Sequence, residues 1–242
     1  MPIPCDWIWA FRPATLALLA GQSPYLIMSE KFYNAPWALI PLIPIALLPD
    51  MLGCMVIILV SVFAFGFSAY RFKARPVAMI AFVLSPFVMR CIWNGNIDWL
   101  PLLGLTLPPW LGLFFIATKP QTCGLVAIYW LIEAWKSGTV IRTFAPVVVA
   151  TLLSFVLYGP WPLRAAGAVQ TNQLWPMSIV ASVVLFVVAY ARKDIVYSAA
   201  ASPFLSPYAW THSFSVVLLP LLRYQWVMVT VTVVLWIIEV AK

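Results

Sequence analysis

Charged residues are scarce in this chain: Asp, Glu, Lys and Arg make up 9% of its 242 residues, whereas 64% are hydrophobic. The mean hydropathy of +0.99, together with 13 Trp and 21 Pro, lies outside the range of soluble globular domains. This composition excludes an ordinary soluble enzyme and predicts an integral membrane protein. Because an unpaired charge is costly in a membrane, each of the few ionisable side chains needs an explanation.

Histidine and cysteine are also rare. The only histidine is His212, and the four cysteines form no Cys-x-x-Cys pair and have no histidine at ligand spacing, which argues against a zinc site. Cys91 and Cys123 could form a disulfide near outer helix ends, but buried free thiols are favoured. The 14 basic residues are scattered between apolar runs, which argues against nucleic-acid binding and favours a role in membrane topology.

The clearest membrane-spanning segment is residues 51–70, an apolar run of sufficient length. Arg71, Lys73 and Arg75 follow it directly, so the positive-inside rule places this end in the cytoplasm. Asp50 and the residues before it then lie on the outer side.

The segment before this helix is apolar but rich in proline, and residues 36–49 are too short to span a bilayer comfortably. We therefore predict an outer-face layer of interfacial helices over residues 1–49, with Trp7, Trp9 and Trp37 at headgroup depth. Residues 50–242 form the predicted transmembrane helical domain.

Downstream, residues 99–118 are ambiguous: they fit either one kinked helix or two half-helices bent at Pro108-Pro109. The hairpin of two half-helices is preferred because it keeps Lys119 on the outer side. Prolines inside apolar segments also require protein or water around the carbonyls they free. The other predicted spans are residues 76–92, 122–135, 143–159, 176–191, 195–207, 210–222 and 225–241, with residues 160–175 as an outer loop.

This topology collects polar groups on the outer face, namely Asp6, Asn94, Asn96, Asp98, Lys119, Gln121, Arg164 and His212. Acids, a base and cations brought together suit a transfer reaction with an anionic leaving group. A carboxylate takes up a proton in such a reaction, and cations receive a phosphate.

Four of these residues also have a purely structural interpretation. Asp6 is either a general base or a solvated helix cap, and Asp98 lies in an Asn-Gly turn where backbone preference alone would explain it. Lys119 either binds a lipid phosphate or extends to the headgroups. His212 is either a structural histidine or a partner for a phosphate or a proton, and Glu239, near a helix end, is interpreted as structural.

Several motifs carry a resemblance to a known family. They are Asp6, Gly21-x-x-Pro24-Tyr25, Asn34-Ala35-Pro36, Gly95-Asn96-Ile97-Asp98, Lys119-Pro120 and Ser206-Pro207-x-x-Trp210-x-His212. In this order they resemble GT-C membrane glycosyltransferases, in particular the polyprenyl-phosphate-mannose-dependent glycosyltransferase 87 (DUF2029) type. That family has Gly-Gln-x-Asn where this chain has Gly95-Asn96-Ile97-Asp98. Its members also have a transmembrane helix before the aspartate, so the resemblance is to a short form lacking that helix.

The resemblance implies an all-α, polytopic transmembrane fold of GT-C type and an inverting sugar transfer at the outer face. Asp6 would deprotonate an acceptor hydroxyl, Lys119 and His212 would stabilise the departing phosphate or orient the donor, and Asn96 and Asp98 would shape the pocket. The predicted site thus has Asp6 as catalytic residue and Lys119, His212, Asn96, Asp98 and Gln121 as substrate- or phosphate-binding residues.

The implied partners are a lipid-linked sugar donor and membrane lipids, with no cofactor and no bound metal. The expected location is the bacterial plasma membrane, with several crossings and the N-terminus outside. Two other functions fit the sequence: a non-catalytic subunit of a larger membrane complex with partner subunits, and a small membrane transporter.

Overall fold

The computed structural model describes residues 6–27, 32–163 and 172–241, and every regular element in these ranges is helical. The all-α prediction is therefore confirmed at the level of helix content. Arg164, predicted on the outer face, lies outside the described residues.

Proline divides the chain into many short helices. Five of the described α-helices begin with proline, whose fixed φ suits a first helical turn and whose missing N–H ends the helix before it. The α-helices are α1 Arg12–Leu19, α2 Pro24–Ile27, α3 Ile43–Ala46, α4 Asp50–Arg71, α5 Pro76–Val83, α6 Pro86–Trp93, α7 Trp99–Gly104, α8 Pro109–Thr118, α9 Pro120–Lys136, α10 Val140–Tyr158, α11 Ser178–Arg192, α12 Ile195–Leu205 and α13 Gln225–Val240. A π-helical turn covers Trp7–Phe11, and 3-10 helices cover Pro36–Leu42 and Thr211–Arg223.

Two of the described helices, α4 and α10, are long and apolar enough to cross a membrane, and α5 and α6 make a third candidate if their 56° bend lies within one span. The predicted segment 51–70 matches α4. In α10 only 11% of the most apolar stretch is buried within the protein. Such a large exposed apolar surface is characteristic of a membrane interaction site.

The ambiguous segment 99–118 forms two helices, α7 and α8, which pack against each other as a hairpin. The preferred prediction of two half-helices is confirmed. Glycine makes the close approach possible: a Cβ at Gly112 would lie 2.4 Å from the carbonyl oxygen of Gly104 and 2.6 Å from the ring of Trp130. At the base of the hairpin, Lys119 returns to Asp98 and forms an ion pair with it.

The bend between α5 and α6 is stabilised by the distant helix α13. Where Pro86 interrupts the helix, the hydroxyl of Thr232 donates to the carbonyl of Ala81 at 3.1 Å, and the indole of Trp236 donates to the carbonyl of Leu84 at 2.8 Å. The predicted need for partners at freed carbonyls is thus met here by protein side chains.

The layer before α4 packs into the common hydrophobic core. The indole of Trp7 is fully buried and lies against Gly53 of α4, so Trp7 is a core residue and does not offer an exposed ring to lipid headgroups. Trp37 is half-buried and donates to the carbonyl of Phe114, whereas Trp9 is exposed. A buried and an interfacial tryptophan look alike in sequence because both require one apolar face.

The helical hairpin predicts a sharp glycine requirement. Gly112→Ala should destabilise the protein by about 1–3 kcal/mol, because the added methyl group must displace backbone or a tryptophan ring. Thermal unfolding in detergent, followed by circular dichroism, measures the change. Gly66→Ala in α4 is the matched control, since a Cβ there meets nothing within 4 Å, and it should not lower the melting temperature. Equal melting temperatures for the two variants would contradict the close packing of α7 on α8.

Candidate functional site

A single large cavity of about 1040 Å³ collects the predicted polar residues. The residues predicted for the site that line it are Asp6, Asn96, Lys119, Gln121 and His212. Asp98 is fully buried directly behind this wall, where it contacts Lys119 and His212. The structure thus brings together residues that are up to 206 positions apart in the chain.

Asp6 is held at the cavity wall by the turn between α6 and α7. Its backbone N–H donates to the carbonyl of Asn94 at 2.5 Å, and the side-chain amide of Asn96 donates to Oδ2 at 2.7 Å. Asp6 precedes a helical turn but makes no capping hydrogen bond with its side chain. The structural alternative of a helix cap is therefore wrong for this residue.

Asn96 connects Asp6 to the buried charges. Its Oδ1 accepts from the backbone N–H of Ile97 and from the ammonium of Lys119, each at 2.7 Å, so its Nδ2 must face Asp6. Gly95 has a φ of +62°, a left-handed conformation that glycine adopts readily, and this turn orients the asparagine.

Lys119 and Asp98 form the centre of the network. The ammonium lies 2.5 Å from Asp98 Oδ2, and the two side chains are 7% and 0% exposed. Lys119 is the non-helical residue between α8 and α9, directly before Pro120, a position where proline disfavours helical backbone. A structural role for Asp98 as a simple turn residue does not account for these contacts.

Two residues of this network were missed by sequence reasoning. Thr122 donates to Asp98 Oδ1 at 2.6 Å, and Ser213 donates to the same oxygen at 3.2 Å. A single hydroxyl in an apolar helix gives no sequence signal by itself, although both residues lie next to the predicted motifs at Lys119-Pro120 and His212.

His212 completes the wall as an acceptor. Its Nε2 lies 3.2 Å from the ammonium of Lys119 and 3.4 Å from Asp98 Oδ2. Because an ammonium can only donate, the shorter contact makes Nε2 the acceptor and leaves the ring proton on Nδ1. Asp6 and His212 are therefore linked through Asn96 and Lys119 by three hydrogen bonds.

The environment separates the two carboxylates chemically. Burial raises the pKa of Asp6 above its ordinary value, and the hydrogen bond from Asn96 and the charge of Lys119 only partly offset this effect. Burial disfavours the charged form of Asp98 as well, but the ammonium of Lys119 and the hydrogen bonds from Lys119 and Thr122 outweigh it, so the pKa of Asp98 is lowered. The environment thus favours the charged form of Asp98, whereas Asp6 is the carboxylate that takes up a proton more readily.

The remaining cavity wall offers polar, cationic and aromatic contacts. Gln121 makes no side-chain hydrogen bond with the described residues, which leaves its amide available to a ligand. Arg90 also lines the cavity and was not among the predicted site residues. The aromatic residues that line the cavity are Trp9, Phe11, Tyr33, Trp161, Tyr208 and Trp210.

The cysteines of the described residues form no disulfide. Cys91 and Cys123 are buried free thiols, as favoured from the sequence, and Cys54 is a third. Among the described residues, no three His, Cys, Asp or Glu side chains come together as metal ligands.

Comparison of the chain with protein-family models, with curated proteins and with solved structures finds no match. The resemblance to glycosyltransferase 87 stays a prediction.

The buried ion pair predicts an asymmetric response to mutation. Lys119→Met should destabilise the protein by about 3–5 kcal/mol, because Asp98 would keep a buried charge without its partner. Replacing both residues, as Lys119→Met with Asp98→Asn, should recover part of that loss. Thermal unfolding in detergent measures both effects. Lys136→Met, at an exposed lysine beside Glu133, is the control and should leave the melting temperature unchanged; a similar loss there would contradict a special role for the buried pair.

Proposed function

We propose that the protein is a membrane glycosyltransferase that moves a sugar, mannose or a similar hexose, from a polyprenyl phosphate to an acceptor hydroxyl. One observation carries the proposal: a half-buried carboxylate, Asp6, shares a single open cavity with Lys119 and His212. A carboxylate base and cationic side chains, here Lys119 and Arg90, that line one cavity are what a transfer with a phosphate leaving group requires.

In the proposed reaction, Asp6 takes the proton of the acceptor hydroxyl. The hydroxyl oxygen then forms a bond to the anomeric carbon, while the bond from that carbon to the phosphate oxygen breaks and the phosphate keeps the electron pair. Attack opposite the leaving group inverts the anomeric configuration. Of the two carboxylate oxygens of Asp6, Oδ2 accepts a hydrogen bond from Asn96, and Oδ1 accepts none from the described residues. In the proposed reaction, Oδ1 is therefore the oxygen that takes the proton of the acceptor hydroxyl.

The shape and lining of the cavity support an amphipathic donor. One face of α9 runs along the wall, beginning with Gln121 and continuing through Gly124, Leu125 and Ile128. This face changes from polar to apolar with distance from Lys119. A lipid phosphate places its charged group and its hydrocarbon chain in the same order.

The orientation of α4 supports an outward-facing cavity. Arg12, in the layer that carries Asp6, forms an ion pair with Asp50 at one end of α4, and the basic residue Arg71 lies at the other end. A helix of 22 residues is about 33 Å long, which matches a bilayer. With Arg71 in the cytoplasm, the layer bearing Asp6 faces outward, as proposed for an enzyme of the bacterial plasma membrane.

The proposal predicts that Asp6 is indispensable. Asp6→Asn should lower the transfer rate by about 10²–10⁴-fold, because the amide keeps the shape but cannot accept the proton. The measurement is transfer from polyprenyl-phosphate mannose to acceptors extracted from bacterial membranes, with the purified protein in liposomes. Asp50→Asn changes the same charge outside the cavity and should retain full activity. Normal transfer by Asp6→Asn would overturn the mechanism.

The pH dependence follows from the raised pKa of Asp6. A base must be ionised, so transfer should be full at high pH and fall as pH drops through a value above 3.8, the ordinary pKa of an aspartate. The hydrogen bond from Asn96 lowers the pKa of Asp6, so Asn96→Ala should move this acid limb to higher pH. Rates measured across pH for both proteins test this, and an unchanged limb in Asn96→Ala would argue against Asp6 as the titrating group.

A further inference from the structure

The ammonium of Lys119 has no proton left for a substrate. It carries three N–H groups, and these meet three acceptors: Asp98 Oδ2 at 2.5 Å, Asn96 Oδ1 at 2.7 Å and His212 Nε2 at 3.2 Å. Lys119 is also only 5% exposed. A phosphate could bind to it directly only by breaking one of these bonds.

The net charge of the network also argues against phosphate binding by Lys119. Lys119 and Asp98 form a neutral pair, so the ionised carboxylate of Asp6 leaves this wall with a net negative charge. A phosphate would be repelled by that charge unless another cation faced the cavity.

Arg90 is that cation. It lies in the last turn of α6, its side chain is 49% exposed, and it lines the same cavity as Asp6 and His212. Its guanidinium has five N–H donors in a planar fork that suits phosphate oxygens. Its ion-pair partner is Glu239 of α13, through Nη2.

We infer that Arg90 is the phosphate-binding residue of the cavity and that Glu239 is a competing carboxylate, which an incoming phosphate group displaces. This inference rests on the proposed function and reassigns the phosphate contact within it. Lys119 then holds the wall together, and the exposed guanidinium receives the anion. The ligand chemistry is a phosphate ester, carried either by a lipid or by a small soluble molecule.

Direct binding tests the inference without requiring sugar transfer. The probe is farnesyl phosphate, a short polyprenyl monophosphate, titrated into the full-length protein in detergent by calorimetry. Farnesol, which lacks the phosphate, and inorganic phosphate, which lacks the lipid, are titrated in parallel. We expect Arg90→Gln to weaken farnesyl phosphate binding at least tenfold and to leave farnesol binding unchanged.

Glu239→Gln should have the opposite effect. Without the competing carboxylate, the guanidinium is free, so farnesyl phosphate should bind about three- to tenfold more tightly. A merely structural role for the ion pair would instead weaken binding in both variants. This difference in sign keeps the test informative even if Arg90→Gln is less stable than the parent protein.

A second arginine–carboxylate pair provides matched controls. Arg223 and Asp194 form an ion pair at 2.8 Å, with the arginine side chain 55% exposed, and neither residue lines the cavity. Arg223→Gln and Asp194→Asn should bind farnesyl phosphate as the parent protein does. If these variants match Arg90→Gln and Glu239→Gln, the effect is one of general charge and the inference is wrong.

The remaining outcomes separate the inference from the proposed function. Unchanged farnesyl phosphate binding in Arg90→Gln, or no binding to the parent protein, overturns the inference. Binding that depends on Arg90 supports it even where no sugar transfer is detected, and in that case only the proposed function fails. Tighter binding of farnesyl phosphate than of inorganic phosphate supports a lipid ligand, whereas equal affinity supports the same site with a soluble phosphate.

Discussion

The buried ion pair between Lys119 and Asp98 is the contact on which the site depends. It joins the two ends of the α7–α8 hairpin, so one interaction both closes a structural unit and positions the cavity wall. Thr122 and Ser213 saturate the carboxylate, and Asn96 and His212 saturate the ammonium. A charge pair so completely hydrogen-bonded avoids the penalty that makes most buried ions unfavourable.

Much of the helical layout follows from the sequence because the signals are physical and local. Basic residues after Tyr70 end α4, and Pro76, Pro86, Pro109 and Pro120 each begin a helix. The site residues could also be predicted from the sequence, since a polar group within an apolar chain requires a partner or a function. The burial of Trp7 could not be predicted from the sequence, because it depends on contact with Gly53 in α4, which the local sequence pattern does not reveal.

For the same reason, the sequence does not predict the residues whose role depends only on tertiary contacts. Arg90 looks like any basic residue at a helix end, and Thr122 and Ser213 look like ordinary small polar residues. Their importance depends on what the fold brings beside them: the cavity for Arg90, and Asp98 for both hydroxyls. Conversely, the structural interpretation of Asp6 as a helix cap could be rejected only once Asn96 was seen at its carboxylate.

The dependence of the α5–α6 bend on α13 has a consequence for biosynthesis. The carbonyl of Ala81 accepts a hydrogen bond from Thr232, which is synthesised 151 residues later, and the carbonyl of Leu84 accepts one from Trp236, 152 residues later. During translation these carbonyls are therefore left to water or to transient partners, and the contacts that complete the bend form late. The α5–α6 bend can therefore gain these two hydrogen bonds only after α13 has been synthesised.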